Sequence, residues 1–240
     1  MAMQSLIRAI YPPQCVGCEA AVESEHGLCA DCWKETRFIQ GTVCDSCGVP
    51  LLGDDTSEGV QCDDCMTIAR PWVKGRSALL YRDKGRRLVL ALKHGDRTDL
   101  AIPAARWMVR CAGDILEGDP VLVPVPLHWS RLLRRRYNQA ALLSQQIGKI
   151  AGVTHCADAL MRPVKTKSLD GHSRDARFAA LENAITDNPR RAVLMKGRKV
   201  VVVDDVMTSG ATLAAAAEAA LRAGAGQVCV LTLARVTKDA

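Results

Sequence analysis

The chain has 240 residues, 48% of them hydrophobic and 24% charged, enough apolar material for one large domain or two smaller ones, which excludes a disordered polypeptide. No apolar run reaches the roughly 18–20 residues a membrane helix needs, so no membrane insertion is expected. The net charge of +6 hides a division: residues 1–75 hold 5 Lys/Arg against 11 Asp/Glu, and residues 76–240 hold 27 against 15.

The N-terminus, "MAMQSLIRAIYPPQC", carries Arg8 inside a short apolar stretch and no small-residue cleavage site. It reads as a short helix and not as a signal peptide, so a cytoplasmic location is expected. Eight of the eleven cysteines then fall between Cys15 and Cys65 as four CxxC pairs: Cys15/Cys18, Cys29/Cys32, Cys44/Cys47 and Cys62/Cys65. A CxxC turn sets two thiolates on one side of a tight bend, and two such turns complete a tetrahedral four-thiolate site that suits zinc. Two structural zinc sites are expected, with all ligand positions filled by protein. Sequential pairing makes two stacked ribbons, and crossed pairing joins the first pair to the third. The intervals of ten and fourteen residues inside successive pairs favour the sequential order. Gly17 and Gly48 lie in or just after a knuckle, where a positive φ is often needed. Cys111, Cys156 and Cys229 read as ordinary buried thiols.

So small a segment has little core of its own, so metal supplies most of its folding free energy. Its acidic surface is a poor phosphate binder. Contact with the basic remainder is expected; near the ligand site the segment would act as a lid or wall, and a projecting partner-docking arm is the alternative.

After "ARPWVKG" (69–75), read as a linker, the pattern changes, and the expected division is 1–70 and 76–240. "RSALLY" (76–81) predicts a strand, 83–95 an amphipathic helix, and 100–116 a second helix with Pro103 in its first turn. "PVLVPVPL" (120–127) predicts a strand. The stretch 138–152 predicts a helix capped by Asn138 and stopped by Gly152. A helix is expected at 172–184, a buried strand at "KVVVVDDV" (199–206), a helix at 211–225 and a last strand at 227–236. Strands with continuous Val/Leu runs alternating with helices imply a parallel sheet covered on both faces.

Parallel sheets bind ligands at the carboxyl ends of their strands. Asp204 and Asp205 stand at such an end, where two carboxylates can face a pair of sugar hydroxyls or a hydrated Mg2+. The turn Thr208, Ser209, Gly210, Ala211, Thr212 leads into a helix N-terminus that favours a phosphate. A phosphorylated sugar satisfies both. "VPVPLHWSRLLRRRYNQ" carries His128, Arg131, Arg134, Arg135 and Arg136. Of these, Arg131 and Arg135 are expected to meet a pyrophosphate, and Arg134 and Arg136 to be surface charge. Lys165, Lys167, His172 and Arg174 are candidates for a closing loop, and Lys93 and His94 for the nucleobase side.

"VVVVDDVMTSGATL" resembles the phosphoribosyl-pyrophosphate (PRPP) signature of type I phosphoribosyltransferases. The four CxxC pairs, "LKHGD" (92–96), "VPVPLHWSRLLRRRYNQA" (123–140) and the PRPP motif together resemble the ComF family of competence-associated and DNA-utilisation proteins. The resemblance covers nearly the whole chain. It departs at Arg136, where ComF-like sequences carry glycine, and at Ala180, where they carry asparagine. It implies a double zinc ribbon before a type I phosphoribosyltransferase-like α/β domain. In that family the two acids, here Asp204 and Asp205, contact the ribose 2′- and 3′-hydroxyls, and the 208–212 loop holds the 5′-phosphate. The leading expectation is a Mg-dependent phosphoribosyltransferase acting on an unidentified base or amine. The rival is a non-catalytic protein of DNA uptake or use that binds nucleotide, single-stranded DNA or partners in the uptake machinery. Against a stacking platform, only Trp129 and Tyr137 accompany the arginine cluster.

Overall fold

The computed structural model describes residues 11–53, 59–165, 178, 181 and 183–237. The expected N-terminal helix, most of the helix at 172–184, and Lys167, His172, Arg174 and Ala180 lie outside the described residues. No described helix is long and apolar enough to cross a membrane.

Two short helices, α1 (Ala30–Glu35) and α2 (Asp63–Thr67), belong to the cysteine-rich segment. β1 (Lys74–Leu80), α3 (Asp83–His94), α4 (Ala101–Ala112), β2 (Val121–Pro124), α5 (Trp129–Arg135), α6 (Gln139–Ala151) and β3 (Thr154–His155) follow. A small antiparallel pair, β4 (Leu160–Met161) with β5 (Thr186–Asp187), stands apart. The chain closes through β6 (Lys199–Met207), α7 (Ala211–Arg222) and β7 (Gln227–Arg235).

β1, β7, β6, β2 and β3 form one sheet in that order, with every pairing parallel. The expected α/β fold class is therefore observed. Alternation along β6 shows why both faces are covered: Val200 and Val202 enter one buried cluster, Val201 and Val203 the other. The first cluster holds the alanines of α7, whose small side chains let the helix lie close to the sheet. The second holds Leu88, Leu92, Trp107, Met108, Leu143 and Ile147 from α3, α4 and α6. Each buried valine stabilises by about 1.5–3 kcal/mol, so four in succession fix β6 at the sheet centre.

Boundaries moved where the backbone overruled the pattern. The helix expected over 100–116 stops at Ala112, because Gly113 takes φ +52 and a 3-10 turn (Gly113–Leu116) follows. The strand expected over 120–127 ends at Pro124, since Pro124 and Pro126 have no N–H to give a ladder. Helix α6 has the expected ends: the Asn138 side chain accepts from Ala140 and Ala141 N–H, and Gly152 is left-handed.

The stretch 69–75 is not a free tether. Trp72 is buried and Lys74 and Gly75 already belong to β1. The cysteine-rich segment runs antiparallel along the exposed edge of β1, with Ile39 N–H donating to Ala78 C=O (3.0 Å) and Leu80 N–H to Arg37 C=O (2.8 Å). That contact covers an open sheet edge, which would otherwise template aggregation. Charge contributes one well-formed pair, Asp45–Arg76 at 2.7 Å, a looser one from buried Lys84 to Glu35 at 3.4 Å, and the exposed Arg37–Asp83 pair at 3.8 Å, which is worth little.

Of the two knuckle glycines, Gly48 has φ +68, and a Cβ there would lie 2.9 Å from Ser77 N. Gly17 takes no positive φ; its constraint is space, with a built Cβ 3.0 Å from the Cys32 Sγ.

Candidate functional site

The connection from β2 leads by α6 outward to β3, and that from β6 leads by α7 outward to β7. The two helices lie on opposite faces. The carboxyl ends of β2 and β6 are thus a topological switch point, where a crevice opens in such sheets. A cleft of about 540 Å³ lies there, with residues following both strands among its walls.

Asp204 and Asp205 end the valine run of β6 and line this cleft. The Asp204 Oδ1 accepts from the Asp205 N–H at 2.8 Å, and Asp205 Oδ2 lies 3.2 Å from Lys93 Nζ. Burial, reinforced by the neighbouring Asp205 charge, pushes the Asp204 carboxyl up to about 7. Two carboxylates held this close favour a site that supplies a cation or hydroxyl donors.

Opposite them stand five cationic side chains: Lys93, Arg131, Arg134, Arg135 and Arg162. Burial lowers the pKa of Arg135, a desolvation that a bound anion would offset. His94, also in the wall, is pushed below its ordinary value by burial and by the Arg135 and Lys93 charges. A concave site with this excess of cations is built for a polyanion.

The loop after β6 contributes Thr208 and Thr212 to the cleft. Ser209, Gly210 and Ala211 build the turn: the Ser209 Oγ accepts from Ala211 N–H at 3.4 Å, and Gly210 is left-handed (φ +85) at the N-cap of α7.

The structure thus brings Asp204, Asp205, Arg131, Arg135, Thr208, Thr212, Lys93 and His94 into one cleft. Arg134, read as surface charge, lines it too. Arg136 turns outward to Asp96 (3.4 Å), and His128 caps α5, its Nδ1 meeting the Ser130 N–H (3.3 Å) and hydroxyl (2.8 Å). Lys165 is exposed. The rest of "RRYNQ" laces the cleft together: Tyr137 O–H donates to Leu92 C=O (2.7 Å), Asn138 to Val125 C=O (3.0 Å), and Gln139 to Lys93 C=O (3.3 Å). At Arg136 the backbone is left-handed (φ +67), the conformation that glycine supplies most easily. Sequence reading missed Arg162, which follows β4 and is 9% exposed; an arginine that buried on a cleft wall is its only signal.

No residue before Tyr81 lines the cleft among the described residues, so the described part of the cysteine-rich segment is neither lid nor wall; it meets the domain at the β1 edge. Its thiols form two sets, Cys15, Cys18, Cys29, Cys32 and Cys44, Cys47, Cys62, Cys65, with all sulfurs of a set within 4.8 Å of one another. This is the sequential pairing. No cysteine is in a disulfide. Cys18 and Cys29 sulfurs lie 3.6 Å apart, and Cys47 and Cys62 sulfurs 3.7 Å. Tetrahedral geometry with Zn–S bonds of about 2.3 Å needs sulfur separations of about 3.8 Å. The thiols also behave as an uncompensated set. Hydrogen bonding from Cys47 lowers Cys44 to about 4, while Cys47 itself is driven far upward by the same contact and by burial. Four crowded thiolates need a cation to ionise together, and the donor set fits zinc.

Two family models match separate parts of the chain. A family model described as a double zinc ribbon domain matches residues 6–66, and one described as a phosphoribosyl transferase domain matches residues 162–239. The chain is 30% identical over 232 residues to "DNA utilization protein YhgH" of Escherichia coli K12, covering 93% of this chain and 97% of that one. It is 28% identical to "Competence protein F" of Haemophilus influenzae, covering 92% and 96%, and 25% identical to "Competence protein ComFC" of Bacillus subtilis, covering 89% and 86%. Among solved structures, a hypoxanthine phosphoribosyltransferase from Staphylococcus aureus aligns over 60% of this chain and 67% of its own, at 12% identity and a TM-score of 0.35.

Proposed function

The chain belongs to the ComF family, in which a double zinc ribbon precedes a phosphoribosyltransferase domain, and from that premise we propose that its cleft binds PRPP or a ribose 5-phosphate nucleotide. The observation that carries the reading is the meeting, in one cleft, of adjacent carboxylates, two threonines around the start of α7 and five cations. Asp204 and Asp205 take the ribose 2′- and 3′-hydroxyls. The loop from Thr208 to Thr212 takes the 5′-phosphate. Arg131 and Arg135, joined by Arg162, face the pyrophosphate.

In phosphoribosyl transfer the bond from C1′ to the pyrophosphate oxygen breaks with its electron pair leaving on oxygen. The ring passes through an oxocarbenium-like state, and the nitrogen of a base or amine forms the new bond to C1′ and gives up its proton to the departing pyrophosphate or to solvent. The arginines stabilise the charge that collects on the leaving group, and a preorganised cation there is worth several kcal/mol of barrier, about 3 for a single well-aimed donor. Mg2+ accompanying PRPP would neutralise the pyrophosphate, and the crowded pair Asp204/Asp205 has the negative charge to hold it.

Calorimetry tests the binding. PRPP with Mg2+ should bind the full chain and bind at least tenfold more weakly after Asp204→Ala with Asp205→Ala; undiminished binding would place the ligand elsewhere. Pyrophosphate release with a panel of bases tests turnover. The names of the relatives, together with the basic cleft, support a second reading: a non-catalytic protein of DNA uptake or use that holds single-stranded DNA. Absence of turnover with every base, alongside salt-sensitive DNA binding that survives loss of both aspartates, would favour it.

A further inference from the structure

The second cysteine set, Cys44, Cys47, Cys62 and Cys65, lies behind the loop that follows β6, on the side away from the cleft. Cys44, Cys47, Cys65 and Trp72 share one buried cluster with Met207, Ala211 and Ala214. Polar contacts cross the same boundary. Arg70 Nη1 donates to Ser209 C=O at 2.8 Å, from a position five residues beyond Cys65. Its guanidinium lies 5.4 Å from the Trp72 ring, and Trp72 Nε1 donates to the carbonyl of Ser46, between Cys44 and Cys47. Arg235, 5% exposed at the end of β7, donates through Nη1 to Met207 C=O (3.1 Å) and Thr208 C=O (2.7 Å), and its charge reaches Cys47.

Three consecutive carbonyls, 207 to 209, are therefore held by two guanidinium groups beside the thiol cluster. In a trans peptide the N–H points opposite to the C=O. Drawing the carbonyls of Thr208 and Ser209 toward Arg235 and Arg70 turns the N–H groups of Ser209 and Gly210 away from those guanidinium groups. Gly210 makes room for this: a Cβ there would lie 2.8 Å from Arg70 Nη1 and 2.9 Å from Met207 Cε. Zinc with four thiolates carries net negative charge, which both arginines complement. The first cysteine set is placed differently, with Lys84 at the start of α3 reaching Cys32.

We propose that Arg70 and Arg235 are positioning residues of the phosphate loop, and that zinc in the second cluster sets the loop's shape through them. The affinity for a 5′-phosphate then depends on that zinc, and by linkage the ligand tightens the zinc. The ligand half rests on the reading of the cleft given above; the link between cluster and loop does not.

The experiment uses the full zinc-loaded chain with Arg70→Ala and Arg70→Lys. Losing a charged donor to a carbonyl weakens the held state by a factor of about ten or more. Hydrogen exchange of amides 208–212 in ligand-free protein should quicken about tenfold in Arg70→Ala, with β2 unchanged and part of the protection restored in Arg70→Lys. Calorimetry with ribose 5-phosphate should show a parallel loss of affinity, and a competing chelator should extract one of two zincs more easily from Arg70→Ala. Unchanged loop exchange and zinc affinity would overturn the proposal. Quickened exchange with no ribose 5-phosphate binding even in the unsubstituted chain would sustain the link and overturn the ligand reading. Should Arg70→Ala not fold, Gly210→Ala displaces the guanidinium from the loop side. Wild-type zinc affinity in that variant would also overturn the link.

Discussion

Asp204→Asn separates a residue kept for ligand from one kept for stability. The Asp204 carboxyl is pushed from 3.8 to about 7 by burial and by Asp205. In the unfolded chain it releases its proton near its ordinary value. Between about pH 4 and pH 7 the folded state therefore holds a proton that the unfolded state has lost. The stability this group contributes is greatest below the ordinary value, falls as pH rises through about 7, and the full penalty is present at pH 8. Three units correspond to about 4 kcal/mol at 1.36 kcal/mol each. Asp204 is not fully shielded from solvent, so screening takes off roughly half, leaving about 2 kcal/mol. Asparagine keeps the acceptor for the Asp205 N–H and removes the charge. Urea denaturation of zinc-loaded protein should show Asp204→Asn more stable than the parent by about 2 kcal/mol at pH 8, with the gain shrinking toward pH 5. The same variant should lose ribose-ligand affinity, the trade-off expected where a strained site serves function. A variant destabilised at pH 8, or a difference independent of pH, would refute the reasoning.

Elemental analysis of purified protein should give about two zincs per chain, as two four-thiolate sets require. Arg136→Gly should change stability by less than about 0.5 kcal/mol, because relief of the left-handed backbone (about 1 kcal/mol) is offset by the freedom glycine adds to the unfolded chain. Arg136→Val, β-branched at the same φ of +67, should lower stability by about 1–2 kcal/mol, read by thermal unfolding. Gly48→Ala sets a methyl 2.9 Å from Ser77 N and 3.0 Å from Arg76 Cα, backbone that cannot yield without moving β1. It should cost about 2–3 kcal/mol in denaturant and loosen the edge contact, seen as faster hydrogen exchange in β1.

The sheet was legible because its central strands are buried on both faces, so their valine and leucine runs could be no surface element. The site was legible for the opposite reason: Asp204 and Asp205 interrupt such a run with charges that a core would not hold. Where sequence reading fell short, a backbone property decided. Apolar Ile115 kept the helical period going past Gly113, but only the chain's turn at φ +52 ends the helix. Arg162 carries no motif, and only its place after β4 brings it to the cleft.

The placing of the ribbon was the least legible of all. The expectation of contact rested on opposite net charges and on the stability a small metal-folded module gains by packing, neither of which chooses an orientation. The orientation comes instead from the Ile39–Ala78 and Arg37–Leu80 main-chain bonds and from the burial of Trp72. Main-chain donors and acceptors are the same at every residue, so they leave no mark in a sequence. Of the contacts to the loop after β6, Arg70 stands in a stretch that reads as a tether and Arg235 in one that reads as a buried strand. An arginine inside an apolar strand is the one anomaly that pointed inward, since a buried guanidinium needs several acceptors. Here the carbonyls of Met207 and Thr208 supply them.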